Sequence, residues 1–136
     1  MDRINYQLLK EKGLLINIRG SKGEFIKFGG LQLLAKEQGL KSVTTELVKL
    51  DNTYKDIDED GKTIRIRASG LCIFKATVSG ENGTFTAYGD ASPKNVSQMI
   101  APHLIRMAET RSIARALRLY TACQYTSDSE MIENFN

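Results

Sequence analysis

The stretch Lys62-Thr63-Ile64-Arg65-Ile66-Arg67-Ala68-Ser69-Gly70-Leu71-Cys72-Ile73-Phe74-Lys75-Ala76-Thr77-Val78 decides the fold. Ile64, Ile66, Ala68, Cys72, Phe74, Ala76 and Val78 share one parity, while Arg65, Arg67, Lys75 and Thr77 share the other. A period of two over this length reads as a long strand with one core face and one basic face. Gly70, inside the run, predicts a bulge or bend at that point. Asn82-Gly83 follows, the strongest short signal for a hairpin. A two-residue turn on that pair sets Glu81 against Thr84, Ser79 against Thr86, Thr77 against Tyr88 and Lys75 against Asp90. The same register puts Phe85 and Ala87 on the core side with Val78 and Ala76, so turn chemistry and hydrophobic pattern agree.

Working outward, two more strands are predicted at 43–50 and 84–89, flanking the long one at 62–78. Asp60-Gly61 suggests a turn before the long strand, but the polar residues 56–59 predict a longer loop there. Upstream, Ile4, Leu8 and Leu9 form an amphipathic piece, and Leu14-Leu15-Ile16-Asn17-Ile18 reads as a short edge strand. From Phe25 the spacing turns helical, with Phe28, Leu31, Leu34 and Ala35 on one stripe and Gly39 as the C-terminal cap, giving a helix over 30–38. Downstream, Ser92-Pro93 opens a short turn to Ile100. A long helix starts at Ala101 or Pro102 and runs to Tyr120, because proline is tolerated only in a first turn. On it, Ile105, Ala108, Ser112, Ala116 and Leu119 make a small-residue stripe for packing on the sheet, and Arg111, Arg115 and Arg118 line the opposite side. The fold class is therefore α+β: a helix, a three-stranded antiparallel sheet and a long basic helix packed on it, a β-β-β-α core.

The chain has 136 residues and a formal net charge of +3, which hides an uneven distribution. Asp56, Asp58, Glu59 and Asp60 carry −4, and Asp128, Glu130 and Glu133 carry −3, so the rest of the chain carries +10. A basic body between two acidic segments is suited to a polyanion. The long helix uses arginine at Arg106, Arg111, Arg115 and Arg118 and lysine nowhere, and guanidinium binds phosphate through paired hydrogen bonds and stacks on bases. Arg65, Arg67 and Lys75 on one strand face, with Tyr88 nearby, add cations and an aromatic, the mixture that single strands favour.

Other chemistries find little support. One histidine and two cysteines exclude zinc quartets and histidine-rich sites. The Asp56-to-Gly61 run begins like a calcium loop, but Arg67 stands where the bidentate glutamate belongs, so it reads as a solvated hairpin tip. Gly20-Ser21-Lys22-Gly23 lacks the full phosphate-loop spacing. His103 has no catalytic or metal partner at useful spacing, and Cys72 reads as a small core residue. No cofactor and no enzymatic activity are expected. No apolar run approaches the length of a membrane span and nothing near Met1 reads as an export signal, so the cytoplasm is the expected compartment.

The order of elements resembles that of the single-strand-annealing recombination proteins, which include the eukaryotic Rad-type annealing mediator and the phage Erf and Sak proteins. Three segments carry the resemblance: Phe25-Ile26-Lys27 through Leu33-Leu34-Ala35 to Gly39; Lys75-Ala76-Thr77-Val78 to Gly83-Thr84-Phe85 and on to Gly89-Asp90-Ala91-Ser92; and Arg106-Met107-Ala108-Glu109-Thr110-Arg111 running into Ala114-Arg115-Ala116-Leu117-Arg118. The resemblance implies binding of single-stranded DNA along a groove on a homo-oligomeric ring or filament, without metal or nucleotide. By position, Thr110, Arg115 and Arg118 match places where the eukaryotic family contacts the DNA backbone, whereas Ala114 stands where that family has lysine.

The expected function is binding of single-stranded DNA with annealing of complementary strands. The expected contacts are Arg111, Arg115, Arg118, Thr110, Arg65, Arg67, Lys75, Lys27 and Tyr88. The alternatives are a coating protein without annealing activity and a basic protein-interaction module. Residues 1–125 form the expected binding domain, and 126–136 an acidic, loosely packed tail that resembles, in composition only, tails that recruit recombination or replication partners.

Overall fold

The computed structural model describes residues 6–17, 23–92, 103–123 and 125–130. In chain order these form α1 (Tyr6–Glu11), β1 (Leu15–Asn17), β2 (Glu24–Ile26), α2 (Phe28–Glu37), β3 (Leu40–Glu59), β4 (Lys62–Gly80), β5 (Gly83–Ala91), α3 (Leu104–Thr121) and a 3-10 turn (Asp128–Glu130). The predicted turn after Ser92-Pro93, the helix start at 101 or 102 and residues 20–22 of the Gly20-to-Gly23 run lie outside the described residues. The class is α+β, with a three-stranded antiparallel sheet of order β3-β4-β5 and a long helix packed on it. A separate two-stranded sheet, β1-β2, lies outside the three-stranded core: β1 falls within the short strand read at 14–18, whereas β2 was not predicted. Phe25 belongs to β2 and is buried there, so the helix begins later than the aromatic that leads into it. Gly39, at φ +81°, closes α2 as predicted, its N–H donating to the Lys36 carbonyl at 3.2 Å.

The strand alternation holds where the sheet meets α3. Cys72, Phe74, Ala76 and Val78 are buried in alternation with half-buried neighbours. They join Leu31, Leu34, Ala35, Ala114, Ala116, Leu117 and Tyr120 in two adjoining clusters. Each large aliphatic side chain among them contributes about 1.5–3 kcal/mol by leaving water.

The second hairpin is shifted from its predicted register. Ser79 pairs with Thr84, Thr77 with Thr86 and Lys75 with Tyr88, two residues away from the expected partners. A mirror-image turn on Asn82-Gly83 needs positive φ at both residues, but here only Gly83 has it, at +114°. Asn82 is pinned from elsewhere: its N–H donates to the Tyr120 hydroxyl at 3.2 Å, and its side-chain amide donates to Gln38 Oε1 at 2.7 Å and to the Tyr120 carbonyl at 3.0 Å. A slip of two keeps every side chain on its face, so the predicted core survives.

The first hairpin is tighter than predicted. Asp60 and Gly61, at φ +51° and +76°, make a two-residue turn closed by the Glu59–Lys62 pair, and 56–59 belong to β3 rather than to a loop. The resulting 20-residue strand spans about 66 Å, whereas the 18-residue α3 spans about 27 Å. The helix therefore covers only part of the arm. The register shift predicted at Gly70 falls nearby, where Thr53 pairs with Ser69 but Tyr54 with Arg67. This leaves Ala68 as an extra residue in β4 and reverses the phase of the strand distal to it.

Helix α3 is buried on more sides than a single stripe allows, because it touches the sheet, α2 and the 3-10 turn. Ala108, Ser112 and Ala116 pack inward as predicted, but Ile105 and Leu119 are exposed, and Arg111 is buried at 3% exposure. The stripe assumed one packing partner; the third, at residues 125–130, claims the arginine side. That segment is docked: Ser127 is fully buried and bridges Ile26 in parallel, and the Ile26 N–H donates to the Thr126 carbonyl at 3.1 Å. Tyr125 meets Tyr6 edge-on, with ring centroids 4.9 Å apart. The packing thus continues across the predicted domain boundary at 126.

Candidate nucleic-acid interface

With α3 on one face of the sheet, Thr84, Thr86 and Tyr88 on the other face are exposed. That face carries rows of hydroxyls, in which Ser79 Oγ lies 2.9 Å from Thr84 Oγ1 and Thr77 Oγ1 lies 3.3 Å from Thr86 Oγ1. The next row is Glu46, Lys75 and Tyr88, set side by side by the two registers. Lys75 Nζ stands 3.7 Å from Glu46 Oε1, and Tyr88 is 54% exposed, a large aromatic surface beside a cation. Two of the predicted contacts are thereby brought together.

The arginines reach the same strand from its edge. Tyr88 and Asp90 are two apart on β5, so their carbonyls point to the same side, and β5 is an edge strand. Arg115 Nη1 donates to the Tyr88 carbonyl at 2.9 Å, and Arg111 Nη1 to the Asp90 carbonyl at 2.9 Å. Arg111 Nε donates to the Ser129 carbonyl at 3.1 Å. Guanidinium forks suit this stitching in a way that an ammonium does not, which gives the arginine bias of α3 a structural cause. Arg111 therefore departs from the sequence expectation: it is buried between β5 and the 3-10 turn rather than displayed on an open side.

Arg115 and Arg118 remain partly exposed, at 36% and 29% of their side chains. Both converge on Glu130, whose side chain is only 6% exposed. Arg118 Nη1 lies 3.0 Å and 3.3 Å from the two carboxylate oxygens, and Arg115 Nε lies 3.6 Å from one of them. Arg115 also meets Asp90 Oδ1 at 3.3 Å. A cavity of about 380 Å³ lined by Arg115, Arg118, Leu119, Cys123 and Glu130 opens beside this cluster. Burial pushes the Cys123 thiol above its ordinary range, as it does that of Cys72, so both stay protonated at neutral pH.

The other predicted contacts are placed apart. Arg65 lies far out on the arm, paired with Asp56 at 3.1 Å, and the extra residue in β4 sets it on the opposite face from Lys75. The single basic face drawn through Arg65 and Lys75 is thus broken by the bulge. Arg67 is placed by its backbone pairing with Tyr54. Lys27 stands exposed at the start of α2, its N–H bonded to the Leu14 carbonyl, and Thr110 is half-buried on α3. Glu130 and Asp90 were missed as site residues. Glu130 had a visible signal, an acid in a tail that follows an arginine-rich helix; the carbonyls of Tyr88, Asp90 and Ser129 had none.

These elements define an α+β protein with an exposed aromatic-and-cation sheet face continuous with an arginine-lined strand edge. No protein-family model matches the chain, and comparison with curated proteins gave no match. Among the described residues, no helix is long and apolar enough to cross a membrane.

Proposed function

We propose that this protein binds single-stranded DNA as a homo-oligomer and promotes annealing of complementary strands. One observation carries the reading: Lys75 and Tyr88 are register partners on the sheet face away from α3, and Arg115 is bonded to the carbonyl of that same Tyr88. Tyr88 supplies a platform that any base can stack on, and Lys75, Arg115 and Arg118 supply phosphate contacts along one path from the open face round the β5 edge. The hydroxyl rows beside them suit a deoxyribose-phosphate backbone and read no sequence. Bases held from the backbone side stay available for pairing, which is the physical requirement for annealing.

The oligomeric part of the proposal is supported by Val43, Leu47 and Leu50. These share the core-facing phase of β3, yet are 41%, 51% and 40% exposed. Such an uncovered apolar strip beside an unpaired strand edge is suited to a second copy of the chain.

Titration of a fluorescent oligo-dT over 50–200 mM salt tests the binding. Three phosphate contacts give an expected slope of log affinity against log salt of about −2 per protomer. A salt-independent affinity, or equal binding of unrelated acidic polypeptides, would favour the protein-interaction reading instead. Mixing complementary strands then separates annealing, which is accelerated, from simple coating, which is slowed.

A further inference from the structure

We propose that Glu130 is a built-in competitor for phosphate at the Arg115–Arg118 pair, so that a single strand occupies this part of the path only when the 3-10 turn releases its carboxylate. This inference rests on the proposed single-strand binding and concerns its regulation.

Two guanidinium groups converge on one carboxylate, which leaves the cluster with more donors than the carboxylate satisfies. Arg118 Nε is buried and has no hydrogen-bond partner among the described residues. A phosphodiester offers guanidinium the same kind of charged acceptor that Glu130 does. The 380 Å³ cavity that opens on Arg115, Arg118 and Glu130 leaves space beside the carboxylate for such a group.

Glu130 is also easier to displace than Arg111. Arg111 is fixed by carbonyls on two separate elements, whereas Glu130 sits in a three-residue turn and, among the described residues, its carboxylate holds only the Ser127 N–H, at 2.9 Å, besides the arginines. Releasing it frees Arg118 Nη1 and Arg115 Nε at once, while Arg115 Nη1 stays on the Tyr88 carbonyl and Asp90; keeping it there lowers the fraction of molecules ready for phosphate and weakens apparent affinity in proportion.

The test is Glu130→Gln, which keeps the shape and an oxygen for the Ser127 N–H but removes the charge. The full chain is titrated with oligo-dT across the same salt range as the parent, and its fold is checked by circular dichroism. The expected result is about tenfold tighter binding at 100 mM salt with a slope close to the parent's, because the same three phosphate contacts form in both. If Glu130→Gln does not fold at the assay temperature, Glu130→Asp takes its place. Its shorter carboxylate reaches the arginine pair less well, and about threefold tightening is expected. A folded variant that binds no tighter than a DNA-binding parent overturns the competitor role and leaves the single-strand reading standing. If parent and variant both fail to bind oligo-dT at low salt, the single-strand reading itself is wrong, and this inference fails with it.

Discussion

The Gly89→Ala chain is expected to melt about 10 °C below the parent, a loss of about 3 kcal/mol. Gly89 is buried in β5 where α3 crosses most closely. A methyl group there would meet the backbone N of Ser112, the Ala108 carbonyl oxygen at 2.5 Å and the Arg111 carbonyl carbon at 2.7 Å. Helix backbone cannot turn aside as a flexible side chain can, so the whole of α3 must lift from the sheet. That would also draw Arg111 and Arg115 away from the β5 carbonyls. Gly29 supplies the contrast: it lies in the first turn of α2 with nothing within 4 Å of an added methyl. Gly29→Ala should therefore leave stability within about 1 kcal/mol of the parent, on the favourable side. Thermal melts of the two variants, side by side, check both.

Replacing Tyr88 and Lys75 together by alanine is expected to weaken oligo-dT binding by about 10- to 100-fold while leaving the fold intact. Stacking on an aromatic contributes about 1–3 kcal/mol per base, and the lost lysine contact should flatten the salt slope by about 0.7. Tyr88 is more than half exposed, and the Lys75 pair with Glu46 is a surface pair whose loss alters stability little. Tyr88→Phe should retain most of the affinity, since the ring and not the hydroxyl is the platform. Arg65→Ala, far out on the arm and already engaged by Asp56, should change affinity much less than the double replacement.

The fold was legible where side-chain chemistry alone determines it. The alternation from Cys72 to Val78, the Gly39 cap and the small residues Ala108, Ser112 and Ala116 all predicted the packing that is found. The hairpin partners were misjudged by two because parity cannot register a slip of two, and because Asn82 answers to Tyr120 and Gln38 rather than to its own turn. The site was legible in composition but not in connection. An arginine row on a helix is visible in the sequence. That its partners are the carbonyls of Tyr88, Asp90 and Ser129 is not, since every residue carries a carbonyl and only the fold decides which ones lie at an edge. Tyr88 was read as near Lys75, but their direct pairing emerged only with the true register.

The placement of the DNA path is tested most directly by photocrosslinking. Oligo-dT carrying 5-iododeoxyuridine is irradiated on the intact protein, and the adducts are mapped by peptide mass spectrometry. The expected result is a principal adduct at Tyr88, lost in Tyr88→Ala. Adducts confined to the acidic tip around 56–65 or to α1, with none on β5, would contradict the proposed path.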